Sequence, residues 1–201
     1  GQAARSGYTA ARLAAGGFDA ADEAIAGERG FLDLYGGPDD PDLEALYPLG
    51  EEWGILEEGI DMKKYPCCYF AHASIAATAT LVQQHGITPE MVEFVHVLAS
   101  SGALDTLPYD EPVTGLEAKN SLPHAVACAI ALETVGLFAF EDDTVADEGI
   151  GKLRRRVSGE VNPDIPYDSH HVIVTIRTTD GEEYQQSRRA PPGTQAEPVT
   201  K

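Results

Sequence analysis

Two short stretches of this chain carry residue types whose order points to chemistry. The first runs from Met62 to Thr80, MKKYPCCYFAHASIAATAT. Lys63 and Lys64 stand at its front in a chain with only five lysines, followed by Tyr65-Pro66, the adjacent thiols Cys67 and Cys68, an aromatic pair and His72. The residue before a proline is biased toward extended backbone, and a proline suits the first helical position because no N–H donor is needed there. The pattern predicts a short strand and then a helix opened by Pro66, which would place Cys68 and His72 at i and i+4 on one face. A cation, a thiol and an imidazole near a helix N-terminus make a plausible anion site, because the backbone there also offers positive potential.

The second stretch is Glu117 to His124, EAKNSLPH. A lysine, Lys119, again stands just before a helix start, with Ser121 as N-cap. His124 and Cys128 share the face of that helix at i and i+4. One reading is a cap and a core; the other is a second edge of the same anion pocket, with amides and a hydroxyl offered to carboxylates.

Each of these residues also has a plain structural reading. Adjacent lysines are usually solvated. A cysteine can act as a nucleophile if lysines and a helix terminus lower its pKa, but buried inert thiols are commoner. His72 on an alanine-rich helix reads as a hydrogen-bonded structural histidine when taken alone, and His170-His171 read as surface or strand-edge residues. Cys67, Cys68 and His72 lack the C-x-x-C knuckle of a zinc site, so no metal is expected.

The elements that must position these groups are legible in outline. Residues 2–15 read as a helix whose small residues Ala3, Gly7, Ala10 and Ala14 fall near one face, stopped by Gly16-Gly17. Asp19 is a fair N-cap for a second helix ending at Gly27. The first chemical stretch continues as a helix to Gly86, a C-cap. Residues 91–99 are β-rich. Residues 101–117 read as a loop, Ser121 to about Gly136 as a helix, and Asp142 to Leu153 as one or two more. Arg154-Arg155-Arg156 leads into a β region in which Asp180-Gly181, between two β-branched runs, marks a hairpin. The tail APPGTQAEPVTK reads as loop. The whole is α+β: helices packed on a small, mostly antiparallel sheet, preceded by the edge of a helical bundle.

Composition bounds the partners. Thirty-three acids against fourteen bases give a net charge of −19, which argues against nucleic acid or an anionic membrane surface. No run is long and apolar enough to span a bilayer, and no secretory pattern opens the sequence. Three cysteines, two of them adjacent, fit free thiols in a reducing cytoplasm rather than a disulfide framework. A chain that starts directly in a packing helix reads as the middle of something longer.

The residues Lys63 to His72, as K-x-Y-P-C-C-x-F-x-H, and Glu117 to Ala127, as E-A-K-x-S-L-P-x-A-V-A, resemble the MmgE/PrpD superfamily, which includes 2-methylcitrate dehydratase and cis-aconitate decarboxylase. The opening Gly1 to Phe18 and the segment Gly193 to Pro198 are similar as well. The resemblance implies a helical domain and an α+β lid with the active site between them, and no metal or other cofactor. Residues 1–48 would be the end of the helical domain, 49–187 the lid, and 188–201 a tail returning toward the helical domain. It implies Lys63 and His72 as catalytic residues, with Lys119, Ser121 and Cys68 binding substrate. The partners it implies are a small polycarboxylate, the missing helical domain of the same chain and a second copy in a homodimer. Cys68 falls where the decarboxylases place a catalytic histidine, which favours dehydration, most simply of 2-methylcitrate in propionate breakdown. Ala76 replaces an Asp of many members, and Asn120 and His124 replace aromatic residues, which points to a divergent substrate.

The acidity has two readings, a surface kept soluble and adaptation to a salty cytoplasm. In the second, screening suppresses self-repulsion, since the Debye length falls from about 10 Å at 0.1 M salt to about 3 Å at 1 M. The melting temperature is then expected to rise between low and molar chloride. A flat or falling melting temperature across that range counts against the adaptation.

Overall fold

A computed structural model of the chain describes residues 1–36, 51, 53–57 and 59–199. It divides into two compact units, Gly1–Glu57 and Glu58–Lys201.

In the first unit, α1 spans Gln2–Ala15, and none of its residues is buried. It stops as expected at Gly16-Gly17, where Gly17 takes a φ of 85° and the amides of Gly16, Gly17 and Phe18 turn back onto the carbonyls of Arg12, Leu13 and Ala14. The expected helix from Asp19 to Gly27 is instead a series of turns. Its nine residues must meet the cost of helix nucleation without an apolar face to bury, and Ile25 is exposed. Among its described residues the unit also has two short helices, α2 (Phe31–Tyr35) and α3 (Gly54–Glu57). The turn expected at residues 36–40 lies largely outside the described residues.

The second unit is built on four strands, β1 (Val92–Ala99), β2 (Val157–Val161), β3 (Val172–Thr178) and β4 (Glu183–Arg188). Their order is β2-β1-β3-β4. β1 runs parallel to β2 and antiparallel to β3, and β3 and β4 form an antiparallel hairpin. The hairpin turns at Asp180-Gly181 as its Asp-Gly pair predicts, with Gly181 at a φ of 91°. Two-residue alternation buries Val95, Val97 and Ala99 of β1 and Val172, Val174 and Ile176 of β3 on one face. That face carries the helices. α4 (His72–His85) packs on β3 and β4, and α7 (Leu122–Ala131) lies against α4, β2 and α9 (Glu148–Arg154). Alanines on the two central helices (Ala73 and Ala77 on α4, Ala125 and Ala129 on α7) are buried in the core they share. Both helices are nearly all apolar or small because both are covered on several sides.

Two differences from the sequence reading have local causes. The segment before α4 forms bends rather than a strand, and α4 begins at His72, not Pro66, after a 3-10 turn over Tyr69–Ala71. Cys68 is extended there (φ −56°, ψ 135°), so no helix runs through it; Cys67 N–H donates to the Tyr65 carbonyl at 2.9 Å, and Cys68 N–H to the Lys119 carbonyl at 2.8 Å. Cys68 and His72 therefore do not share one face of a helix. Residues 101–117 contain two short helices, α5 (Ser101–Thr106) and α6 (Gly115–Ala118), where a loop is expected. Ser100 caps the first, accepting from Ala103 N at 3.1 Å, and Thr114 caps the second, accepting from Glu117 N at 3.3 Å. Glu117 in turn accepts from Val113 N at 2.8 Å, close to the reciprocal pattern of a capping box. α7 ends at Ala131, short of Gly136, ahead of the β-branched pair Thr134-Val135. α8 (Asp142–Ala146) and α9 lie where one or two helices are expected.

The tail packs on the segment that leads into the first motif. Gly193 accepts from Met62 N at 2.9 Å through its carbonyl, and its own N–H donates to the Glu197 carbonyl at 2.7 Å. Arg188 and Glu197 form an ion pair. Gly193 has a φ of 104°, and a Cβ there would run into the Met62 carbonyl oxygen. Gly181 shares the positive φ but faces open space. Gly193→Ala is therefore expected to destabilise the chain by more than the roughly 1–2 kcal/mol of left-handed strain that Gly181→Ala would cost. Urea unfolding of the two variants measures the difference, and equal losses would show that the tail contact is not tight.

Candidate functional site

The turn that carries the first motif is folded by its own lysine. Lys63 Nζ donates to the Cys67 carbonyl at 3.1 Å, with the rest of the side chain exposed. Lys64 points elsewhere, its Nζ 5.5 Å from the Tyr65 ring centroid, and lines a separate cleft with residues of α4 and α7. Cys67 is buried, and burial, then the neighbouring Cys68, pushes its thiol up to about 12 against the opposing pull of Lys63. Cys67 is thus a neutral thiol at ordinary pH and a poor nucleophile. Cys68 is half-buried.

The second motif meets the first through main chain. The Cys68 N–H to Lys119 carbonyl bond sets the two lysine-bearing segments side by side. Lys119 is half-buried and closes the C-terminal end of α6. Ser121 caps α7 as the sequence predicts, its Oγ accepting from His124 N at 3.1 Å, and the residue is 1% exposed. Its hydroxyl proton remains to donate, but the group lies beneath the surface rather than on it.

His72, the first residue of α4, is fully buried. Tyr65 and Tyr69 approach it edge-on, with ring centroids 5.2 and 4.9 Å away. Neither ring nitrogen has a hydrogen-bond partner among the described residues. Burial, then the charge on Lys63, lowers its pKa to about 4, while the carbonyls of Cys67 and Tyr65 pull the other way without reaching hydrogen-bond geometry. The imidazole is therefore neutral at physiological pH and able to take up a proton only from a strong acid or with a compensating anion.

His124 and Cys128 do meet, Sγ to Nε2 at 3.3 Å. The same Nε2 lies 2.7 Å from the Ala139 carbonyl, which can only accept, so the ring proton sits on Nε2. A nitrogen that carries a proton cannot activate a thiol, and burial holds Cys128 up at about 12. The pair is part of the core and not a nucleophile with its base.

Four residues around His72, namely Asp61, Tyr69, Phe70 and His170, make contacts that the sequence does not indicate. Tyr69 donates from its hydroxyl to Asp61 Oδ2 at 2.9 Å; burial and then this carboxylate raise the phenol to about 12. On its other side Tyr69 meets His170 at 4.9 Å between centroids, and Phe70 meets the same ring at 4.5 Å. His170 is half-buried, with a shielded Nδ1 that has no partner among the described residues, and burial lowers its pKa. The expected strand-edge residue thus lies against the first motif. Only the return of the chain into β3 brings it there, and its local sequence carries no sign of it. Among the described residues no three of His, Cys, Asp and Glu gather closely enough to hold a metal ion.

The model of the MmgE/PrpD C-terminal domain matches residues 65–201, and the chain belongs to that family. The match takes in His72 and the whole second motif, and starts two residues after Lys63. No curated protein matches the chain. None of its described helices is long and apolar enough to cross a membrane.

The burial of His72 has a consequence in acid. In the unfolded chain it takes up a proton near its ordinary pKa of 6.5, and in the folded chain only near 4. A group held lower in the folded state contributes stability that is complete above the unfolded value and is lost as pH falls toward the folded one. The gap corresponds to roughly 3 kcal/mol lost between pH 6.5 and 4. His124 and His170, also lowered, steepen the same fall. Urea unfolding across this range should show His72→Gln losing less stability in acid than the wild type. An unchanged slope would place the ring in contact with water.

Proposed function

We propose that the chain is the lid-bearing part of a cofactor-free lyase acting on a small polycarboxylate, most simply by dehydration of 2-methylcitrate. The observation that carries this reading is the Cys68–Lys119 main-chain bond, which sets the Lys119-bearing segment beside the turn that Lys63 closes on the Cys67 carbonyl, in a chain of net charge −19. Two cations on adjoining segments against that background suit an anion.

The chemistry needs them. Removing water from a β-hydroxy acid takes a proton from the carbon beside a carboxylate and expels the hydroxyl as water. Negative charge then builds on an already anionic substrate, and fixed cations stabilise it as it develops. At about 4 Å and an effective dielectric near 20, each cation contributes roughly 4 kcal/mol before desolvation. In this reading Lys63 and Lys119 hold substrate carboxylates and Lys63 stabilises the developing charge. Neutral His72 orients or exchanges protons, Cys68 lines the pocket, and Ser121 sets the start of α7 beside it. The proton acceptor comes from a helical domain, of which residues 1–48 are the end. Residues 49–187 form the lid and 188–201 return toward that domain. A homodimer, a cytoplasmic setting and a saline host belong to the same proposal. Decarboxylation of cis-aconitate fits less well because Cys68 occupies the position of the decarboxylase histidine. The burial of His72 and Ser121 favours a second reading, a lid that keeps the fold without the chemistry.

The full-length enzyme, offered a panel of 2-hydroxy polycarboxylates, decides between them: turnover supports the lyase, and none supports the non-catalytic lid. If it turns over, Lys63→Ala should lower kcat more than it raises KM, because the contact strengthens as charge develops. Loss of a charge-assisted contact costs about 1.5–3 kcal/mol, so a fall in kcat/KM of about ten- to a hundredfold is the minimum expected. Cys68→Ser should retain most activity. Abolition by Cys68→Ser with near wild-type Lys63→Ala would replace the cationic pocket with covalent thiol chemistry.

A further inference from the structure

A proton must reach the departing hydroxyl when a β-hydroxy acid loses water, and an imidazole suits that transfer. The chain has six histidines, and the fold sets five of them aside. His72 and His124 are fully buried, so neither ring is open to a ligand. His124 Nε2 is also committed to the Ala139 carbonyl at 2.7 Å. His85 stacks on Tyr184 at the far end of α4 from His72, about 20 Å along a helix of that length. His96 is paired with Glu160 at 3.0 Å and alternates with Val95 and Val97, so it lies on the face of the sheet away from α4. His171 Nε2 meets Ser187 Oγ at 2.9 Å.

His170 is the sixth. Its half-buried ring lies 4.9 Å from the Tyr69 ring and 4.5 Å from the Phe70 ring, between centroids. Those two residues directly follow Cys68, whose N–H holds the Lys119 carbonyl. Tyr69 meets His72 as well, so one phenol ring stands between a buried imidazole and a partly open one. Nδ1 of His170 is shielded, which leaves Nε2 as the nitrogen open to a ligand. The carboxylates of Asp61 and Asp168 favour its imidazolium form against the burial that opposes it. The buried His72 is neutral and adds no charge. Two acids there would repel a substrate carboxylate, so the place beside His170 suits the uncharged hydroxyl, with the carboxylates left to the lysines.

We infer that His170 Nε2 protonates the hydroxyl that leaves a substrate held by Lys63 and Lys119. The inference rests on the lyase reading and deepens it, leaving His72 to orient Tyr69 from behind. The base takes the proton beside the carboxylate, and the C–H electron pair becomes the new C=C bond. The C–O bond breaks with its pair on oxygen, which takes the Nε2 proton and departs as water. Neutral His170 regains a proton from solvent as the base loses its own, so the cycle is balanced.

The full-length enzyme is assayed on the polycarboxylate it turns over and on the same acid with fluorine in place of the hydroxyl, since fluoride departs without a proton. His170→Asn is expected to slow dehydration about a hundredfold or more, because a positioned acid contributes roughly 10²–10⁴-fold. Its KM should change less than about threefold. Loss of fluoride should fall less than about fivefold, which also shows that the variant folds. Equal losses on both acids would make His170 structural, and near wild-type dehydration would make it idle. Either result overturns the inference and leaves the lyase reading standing. A wild type that turns over no polycarboxylate removes the lyase reading and the inference with it. Diethyl pyrocarbonate, which acylates accessible neutral imidazoles, gives a check that does not depend on turnover: it should modify His170 and spare His72, and the reverse would overturn the inference.

Discussion

A helix opened at Pro66 would have to run through Cys68, and it does not, because Cys68 is extended there (ψ 135°) with its amide bonded to the Lys119 carbonyl. Much of the second unit depends on that exchange. A donor at a helix start has no partner within its own helix, and here it finds one in a segment fifty residues further along the sequence. The bond holds the Lys63–Cys68 segment, with Tyr65 and Cys67 buried and the two lysines exposed, ahead of an α4 that begins at His72. It also places the end of α6 and the cap of α7 against it. Burial of both helices makes the arrangement stable. Small side chains on α4 and α7 let them share one core above β1 and β3.

Electrostatics at the site follow from depth more than from neighbours. Cys67, His72, His124 and Cys128 are all buried, and burial is the largest cause of the shift in each. All four are driven toward their neutral forms. The charge that remains available belongs to the lysines above them. The buried thiols of Cys67 and Cys128 are thereby kept unreactive. Asp61, through Tyr69, puts a carboxylate at the edge of the same cluster.

The tail is the other constraint on the first motif. Gly193 allows the chain to pass close to Met62, and only a residue without a Cβ has room there. The ion pair between Arg188 and Glu197 holds the end of β4 against the returning tail. Residues at the far end of the sequence thereby fix the approach to Lys63, and the Gly193 to Pro198 pattern acquires a physical reason.

Local rules were enough for the elements with strong local signals. The stop of α1 at two glycines, the left-handed cap at Gly86, the Ser121 cap and the Asp-Gly hairpin all depend on residues within a few positions of one another. The alternating β-branched runs determined which faces of β1 and β3 would be buried. The sequence also marked Lys63 and Lys119 by their scarcity and their places before helix starts, and its motifs carried the family. It could not tell that Cys68 and Lys119 would bond, that His72 would lie beneath two tyrosines with neither nitrogen partnered among the described residues, or that His170 would come to rest on Tyr69 and Phe70. The first and the last rest on contacts between residues far apart in the chain, and the burial of His72 on the core that closes over its own neighbours. Local propensity is indifferent to them, and they are decided only when the sheet closes under the helices and water leaves the space between.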